Sequence, residues 1–112
     1  MADATSEVTL ELHGFLAERL SALGSRRGTR RLIAVSARPG EAVRDFMVRL
    51  VLADARLGLL FDAGTAALPE HVEVVLNNRL LDLRGGLDAQ LQTGDVLSFL
   101  PAHAGGSSLN VG

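Results

Sequence analysis

Polar and apolar residues alternate from the start of the chain: Val8, Leu10 and Leu12 are apolar, with polar Thr9, Glu11 and His13 beside them. A period of two predicts a strand with one buried face. Gly14 to Leu23 reads as a short helical turn, with Phe15, Leu16 and Leu20 covering one end of a core. Ser25 to Arg30 is a basic loop containing a glycine. Alternation returns over Arg31 to Ser36, with Ile33 and Val35 facing inward, so the two strands predict a first hairpin. Pro39-Gly40 breaks it. From Glu41 the period lengthens: Val43, Phe46, Met47, Leu50 and Leu57 share one face, while Arg44, Asp45, Arg49 and Arg56 occupy others. This predicts the main helix, from Glu41 to Leu57, with Gly58 as its stop.

Asp62 to His71 is a loop, and Val72 to Leu76 is apolar and β-branched, as a buried strand requires. Leu80 to Leu83 pairs back onto it through Asn77-Asn78, two residues that tolerate the left-handed backbone of a tight turn. Gly85-Gly86 makes a further turn, Leu87 to Leu91 a single helical turn, and Val96 to Leu100 the last strand. The order strand, strand, helix, strand, strand, strand predicts an α+β domain, and no internal repeat is present.

Length, charge and composition narrow the function classes. A chain of 112 residues with a 47% apolar share builds one modest core. Its net charge of -2 supplies no field toward nucleic acid or anionic membrane. No stretch is long and apolar enough to span a membrane, and the N-terminus lacks the basic-then-apolar layout of a signal peptide, so a cytoplasmic location is expected. Without cysteine there is no disulfide, thiolate metal site or thiol nucleophile. All 11 basic residues are arginines, so only the N-terminal amine could accept an isopeptide-like link. His13, His71 and His103 are far apart, lack ligand spacing and are expected on the solvated surface. Arg26, Arg27, Arg30 and Arg31 form a basic cluster, but the chain has four phenylalanines and no tyrosine or tryptophan to stack bases, which favours a solvated loop. No catalytic constellation stands out. The chain is expected not to be an enzyme, and no permanently bound cofactor is called for.

The end of the chain carries the chemistry. Gly94-Asp95 opens the run Val96-Leu97-Ser98-Phe99-Leu100, and Pro101-Ala102-His103-Ala104-Gly105-Gly106 comes next. Two glycines just past a final strand form a thin arm that can thread a partner's narrow active site, where a β-carbon would clash. This ordered set resembles the close of the sulfur-carrier proteins of molybdopterin and thiamin biosynthesis, the MoaD/ThiS-like relatives of ubiquitin. GDVLSFLPAHAGG and the preceding LNNRLLDLRGGLDAQLQT match their closing pattern. VTLELHGFLAERL is similar to their first strand and the turn after it, and ARPGEAVRDFMVRL to the start of their main helix. The resemblance implies a β-grasp fold, with a mixed four- to five-stranded sheet packed on one main helix. It divides the chain into a disordered N-terminus (1–6), the domain (7–101), a flexible Gly-Gly tail (102–106) and a C-terminal extension (107–112).

The resemblance also implies a mechanism. An E1-like enzyme would use ATP to adenylate the Gly106 carboxylate, Gly105 giving clearance. A sulfur donor would then convert the acyl group to a thiocarboxylate, for delivery to an acceptor synthase of which the chain could be the small subunit. The activating enzyme would dock on the outer face of the sheet. With Leu97 and Phe99 facing the core, Val96, Ser98 and Leu100 face out beside Pro101. Leu100 either anchors that interface or closes the edge of the core. Two departures stand out. Asn78 occupies a turn position where the family commonly has glycine, and residues 107–112 block the Gly106 carboxylate, so trimming by a metallopeptidase is expected. A ubiquitin-like modifier joined to targets through Gly106, and a non-covalent module with an inert tail, remain alternatives.

Overall fold

Val8, Leu10 and Leu12 share one face of strand β1 (Ser6–Leu12) and are fully buried, as their spacing requires. The computed structural model describes residues 5–102. Residues 1–4 and 103–112, which include His103, Gly105, Gly106 and the extension, lie outside the described residues. After β1 come helix α1 (Phe15–Arg19), strands β2 (Ser25–Arg27) and β3 (Arg30–Ala37), and helix α2 (Val43–Ala53). Strands β4 (Val72–Leu76), β5 (Arg79–Leu80) and β6 (Val96–Pro101) complete one mixed sheet in the order β2-β3-β1-β6-β4-β5. The first and last strands lie parallel at its centre, and every other pairing is antiparallel. This is the β-grasp fold.

Helix α2 presents Val43, Phe46, Met47 and Leu50 to the inner face of the sheet, where Val8, Leu10, Leu12, Val72, Val74, Leu76, Leu97 and Phe99 meet it. At roughly 1.5–3 kcal/mol for each large apolar side chain buried, this two-layer contact dominates the stability of the domain. The start of α2 has no side-chain cap. Its exposed donors are met from elsewhere: Val43 N–H donates to the Ala89 carbonyl at 2.9 Å. The Leu91 N–H returns a bond to the Glu41 carbonyl at 2.9 Å, tying the segment before β6 to the helix.

The sheet has six strands rather than four or five. Ser25–Arg27, expected as a loop, pairs with Arg30–Leu32. Ladder pairing is a backbone property, and an edge strand with no buried face leaves no apolar alternation to read. Three helical expectations also shorten. The turn after β1 is helical only over Phe15–Arg19. Helix α2 begins at Val43 and stops at Ala53, because Asp54 takes an extended backbone (φ −145°) and accepts a hydrogen bond from the Arg56 N–H. Leu57 stays buried because a 3-10 turn, Ala55–Leu59, carries it back to the core. The return strand is Arg79–Leu80 alone, with Leu81–Arg84 and Gly86–Asp88 as 3-10 turns in place of a longer strand and the helical turn at Leu87 to Leu91. Phe15 does not cover the core: it is 38% exposed, while Leu16 and Leu20 are buried.

Candidate functional site

Strand β6 leads to the tail, and both its neighbours are fixed by register. Leu97 lies beside Leu10 of β1 and Leu76 of β4, and Phe99 beside Leu12 and Val74. Both side chains are fully buried, so their neighbours Val96, Ser98 and Leu100 fall on the outer face, each half-buried. One row of that face runs Leu80, Val75, Ser98, Glu11, Leu32, Ser25 across all six strands. Glu73 lies beside Leu100 in the next row, and Thr9 beside Val96 in the row on the other side. The face therefore carries Leu80, Val75, Val96 and Leu100 with the exposed Glu73 among them, and is charged around Glu11.

Ser98 does not face solvent freely. Its hydroxyl donates to Glu11 Oε1 at 2.7 Å. His13 Nε2 lies 3.1 Å from the same oxygen, and Arg30 Nη1 donates to Oε2 at 2.6 Å. The Glu11 side chain is 16% exposed. Burial pushes its carboxyl up, but the hydrogen bonds from Ser98 and His13, with the charges of His13 and Arg30, outweigh it and hold the group below the ordinary glutamate value. His13 and Arg30, expected as solvated residues, thus belong to a fixed network. The sequence shows Glu11 as an outward strand position. It does not show the parallel register that lays Ser98 next to it.

The base of the tail sits in a collar. Ala102 N–H donates to the His71 carbonyl at 2.9 Å, and His13 N–H donates to the Phe99 carbonyl at 3.1 Å. His71 is also held rather than solvated: its Nε2 lies 2.9 Å from the Leu59 carbonyl, and its ring is 6.0 Å from that of Phe15. On the other side Gly14 packs on Pro101; a β-carbon on Gly14 would lie 2.9 Å from Pro101 Cγ. Pro101 is accordingly half-buried and wedged, marking where the sheet ends.

The start of β6 is clasped by the turn before it. Asn77 and Asn78 have φ values of 51° and 72°, the left-handed pair of a two-residue hairpin. Asn77 does more than turn. Its Oδ1 accepts from the Val96 N–H, and its Nδ2 donates to Asp95 Oδ1, both at 2.8 Å. Among the described residues no group of three or more His, Asp or Glu side chains is placed to hold a metal ion, and no helix is long and apolar enough to cross a membrane.

Comparison with known proteins places this geometry. No curated protein matches the chain. Among solved structures, it is similar to the Haloferax volcanii HVO 2177 protein (TM-score 0.69, 23% identity, 95% of this chain and 92% of that one). It is also similar to the small archaeal modifier protein SAMP1 of Haloferax volcanii (TM-score 0.65, 24% identity, covering 90% and 100%). A third similarity is to a structure of the Amycolatopsis orientalis BexX/CysO complex (TM-score 0.55, 24% identity, covering 88% and 99%). These likenesses agree on the fold. The model of the ThiS family matches residues 16–106, from the helical turn after β1 to the second glycine of the tail, and the chain belongs to that family.

Proposed function

We propose that the chain is a sulfur carrier whose working group is the Gly106 carboxylate, exposed by removal of residues 107–112. The observation that carries this reading is where the family match stops: at Gly106, with the extension outside it. A carboxylate is a poor electrophile. Adenylation by an ATP-using E1-like partner attaches a good leaving group, AMP, which a sulfur donor then displaces to leave a thiocarboxylate. The stretch from Ala102 to Gly106 spans at most about 17 Å when extended, so the partner must grip the domain close to its own active site. The outer face beside Pro101 meets that need, with Leu100 and Val96 as apolar contacts and Ser98 fixed between them by Glu11. An acceptor synthase would take the sulfur from the same tail.

A second reading is conjugation of Gly106 to amines of other proteins. It is favoured by the similarity to a protein described as a small archaeal modifier. Both readings share the activation step, so the test distinguishes the fates of the activated acyl group. The chain is cut after Gly106 and incubated with its activating enzyme, ATP and a sulfide source. Carriage predicts ATP–pyrophosphate exchange and a free species about 16 mass units heavier, oxygen replaced by sulfur. Modification predicts isopeptide-linked remnants on other proteins. Absence of exchange overturns both.

A further inference from the structure

The β2–β3 hairpin carries an arrangement that folding alone disfavours. Arg26 lies directly opposite Arg31, and Arg27 directly opposite Arg30, so two successive cross-strand pairs are like-charged. Such pairs destabilise a sheet. Of the four guanidiniums only Arg30 meets a carboxylate within ion-pair distance among the described residues, that of Glu11. Two of the others are oriented by backbone instead: Arg26 Nε donates to the Gly28 carbonyl at 3.0 Å, and Arg31 Nη1 to the Leu23 carbonyl at 2.8 Å. Each of these bonds uses one of the five N–H donors of its side chain. Three of the arginines, Arg26, Arg30 and Arg31, line a cleft of about 490 Å³ between the hairpin and α1, together with Ser21, Thr29 and Glu18.

We propose that this cleft binds the phosphate group of a small phosphorylated ligand. Guanidinium forks match the oxygens of a phosphate, and charge-assisted bonds of this kind are the strong ones. Ser21 and Thr29 lie on the same lining and carry hydroxyls able to act as neutral donors. The lining includes no aromatic ring, so nothing in the cleft stacks a base or rewards a particular organic moiety. Glu18 on the wall repels a long polyanion but can accept a bond from a protonated phosphate or a ligand hydroxyl. A bound phosphate would neutralise the Arg26–Arg31 pair, so occupancy and hairpin stability rise together.

The test is an amide-shift titration of the full chain with inorganic phosphate, at ionic strength held constant with chloride, with thermal unfolding in parallel. Saturable shifts at Ser21 and Gly28 to Arg31, with a rise in the melting midpoint, are expected. Arg26→Gln should weaken binding about tenfold or more, the loss expected for a bond to a charged group. Arg27→Gln removes the same charge from the same strand but outside the cleft, and should leave binding unchanged. AMP should bind as phosphate does. No saturation overturns the proposal. Equal weakening by both substitutions also overturns it, leaving the arginines as guards of an exposed sheet edge. Tighter binding of pentaglutamate than of phosphate overturns it in favour of an acidic peptide. Every outcome is read on the untrimmed chain without an activating enzyme, so none depends on sulfur carriage.

Discussion

Replacing Gly14 with alanine tests the collar at the base of the tail. Gly14 adopts φ 59°, ψ −138°, a region that residues with a β-carbon rarely enter. Holding one there costs about 1–3 kcal/mol. The new methyl would also lie 2.9 Å from Pro101 Cγ, too close for that atom to stay in place. The proline cannot yield by rotating a side chain, because its ring is closed on the backbone. It cannot shift alone either, since Pro101 is in register with Val72 and the next residue, Ala102, is bonded to the His71 carbonyl. Strain and displacement together predict a loss of about 2–3 kcal/mol in urea unfolding and a fall in melting midpoint on the order of 10 °C. The amides of Ala102 and His13 should shift, marking movement of the strand end. A loss below about 0.5 kcal/mol with those amides unmoved would refute the collar, because it would show that the chain enters α1 and leaves β6 independently.

Four further outcomes are expected. Glu41→Gln breaks the two-pronged bond from Arg49 (2.7 and 3.0 Å) at a carboxylate whose side chain is 8% exposed. With Arg49 partly exposed, it should cost about 1–2 kcal/mol by urea unfolding. The Arg49 bond is the main cause holding the Glu41 carboxyl below its ordinary 4.5, so the stabilisation it contributes is complete above that pH and lost as pH falls through the lowered value, which acid titration of the wild type against the variant will show. Ser98→Ala and Glu11→Gln should be non-additive by more than about 0.5 kcal/mol in a double-mutant cycle, whereas additivity would mean that Ser98 acts alone. Leu100→Glu should leave the midpoint within a few degrees but reduce pyrophosphate exchange about tenfold or more, as loss of an apolar anchor does. Gly106→Val in the trimmed chain should abolish exchange with no change in unfolding.

The inner face of the sheet was readable because burial imposes a period. Val8, Leu10 and Leu12 alternate, Val43, Phe46, Met47 and Leu50 keep a helical spacing, and all are buried. The family was readable for a different reason: its closing pattern, within the stretch that matches the ThiS family up to Gly106, is a fixed order of residue types with no dependence on packing. The illegible parts depend on register or on backbone bonds. Arg26 and Arg27 looked like loop because an edge strand needs no apolar residue. Helix α2 lost its predicted last turn because Leu57 keeps helical spacing from Leu50 while the intervening Asp54 turns extended. Ser98 and Glu11 are 87 positions apart, and only a parallel β1–β6 pairing brings them together.

That parallel pairing also explains how the tail could be drawn into a partner without loosening the domain. A parallel neighbour cannot be joined by a tight turn, so β1 and β6 are connected only through the long crossover that the rest of the chain makes. Once there it is held on both edges: Thr9 to Leu12 pair with it on one side, and Val72 to Leu76 on the other. A pull on the tail is therefore shared by the ladder bonds of two strands and by the fully buried side chains of Leu97 and Phe99. An edge strand would resist with one ladder and could peel. On the proposed carriage, a partner drawing the tail into a confined site would work against this central strand, first through the Ala102–His71 bond and then through Pro101, which packs on Gly14.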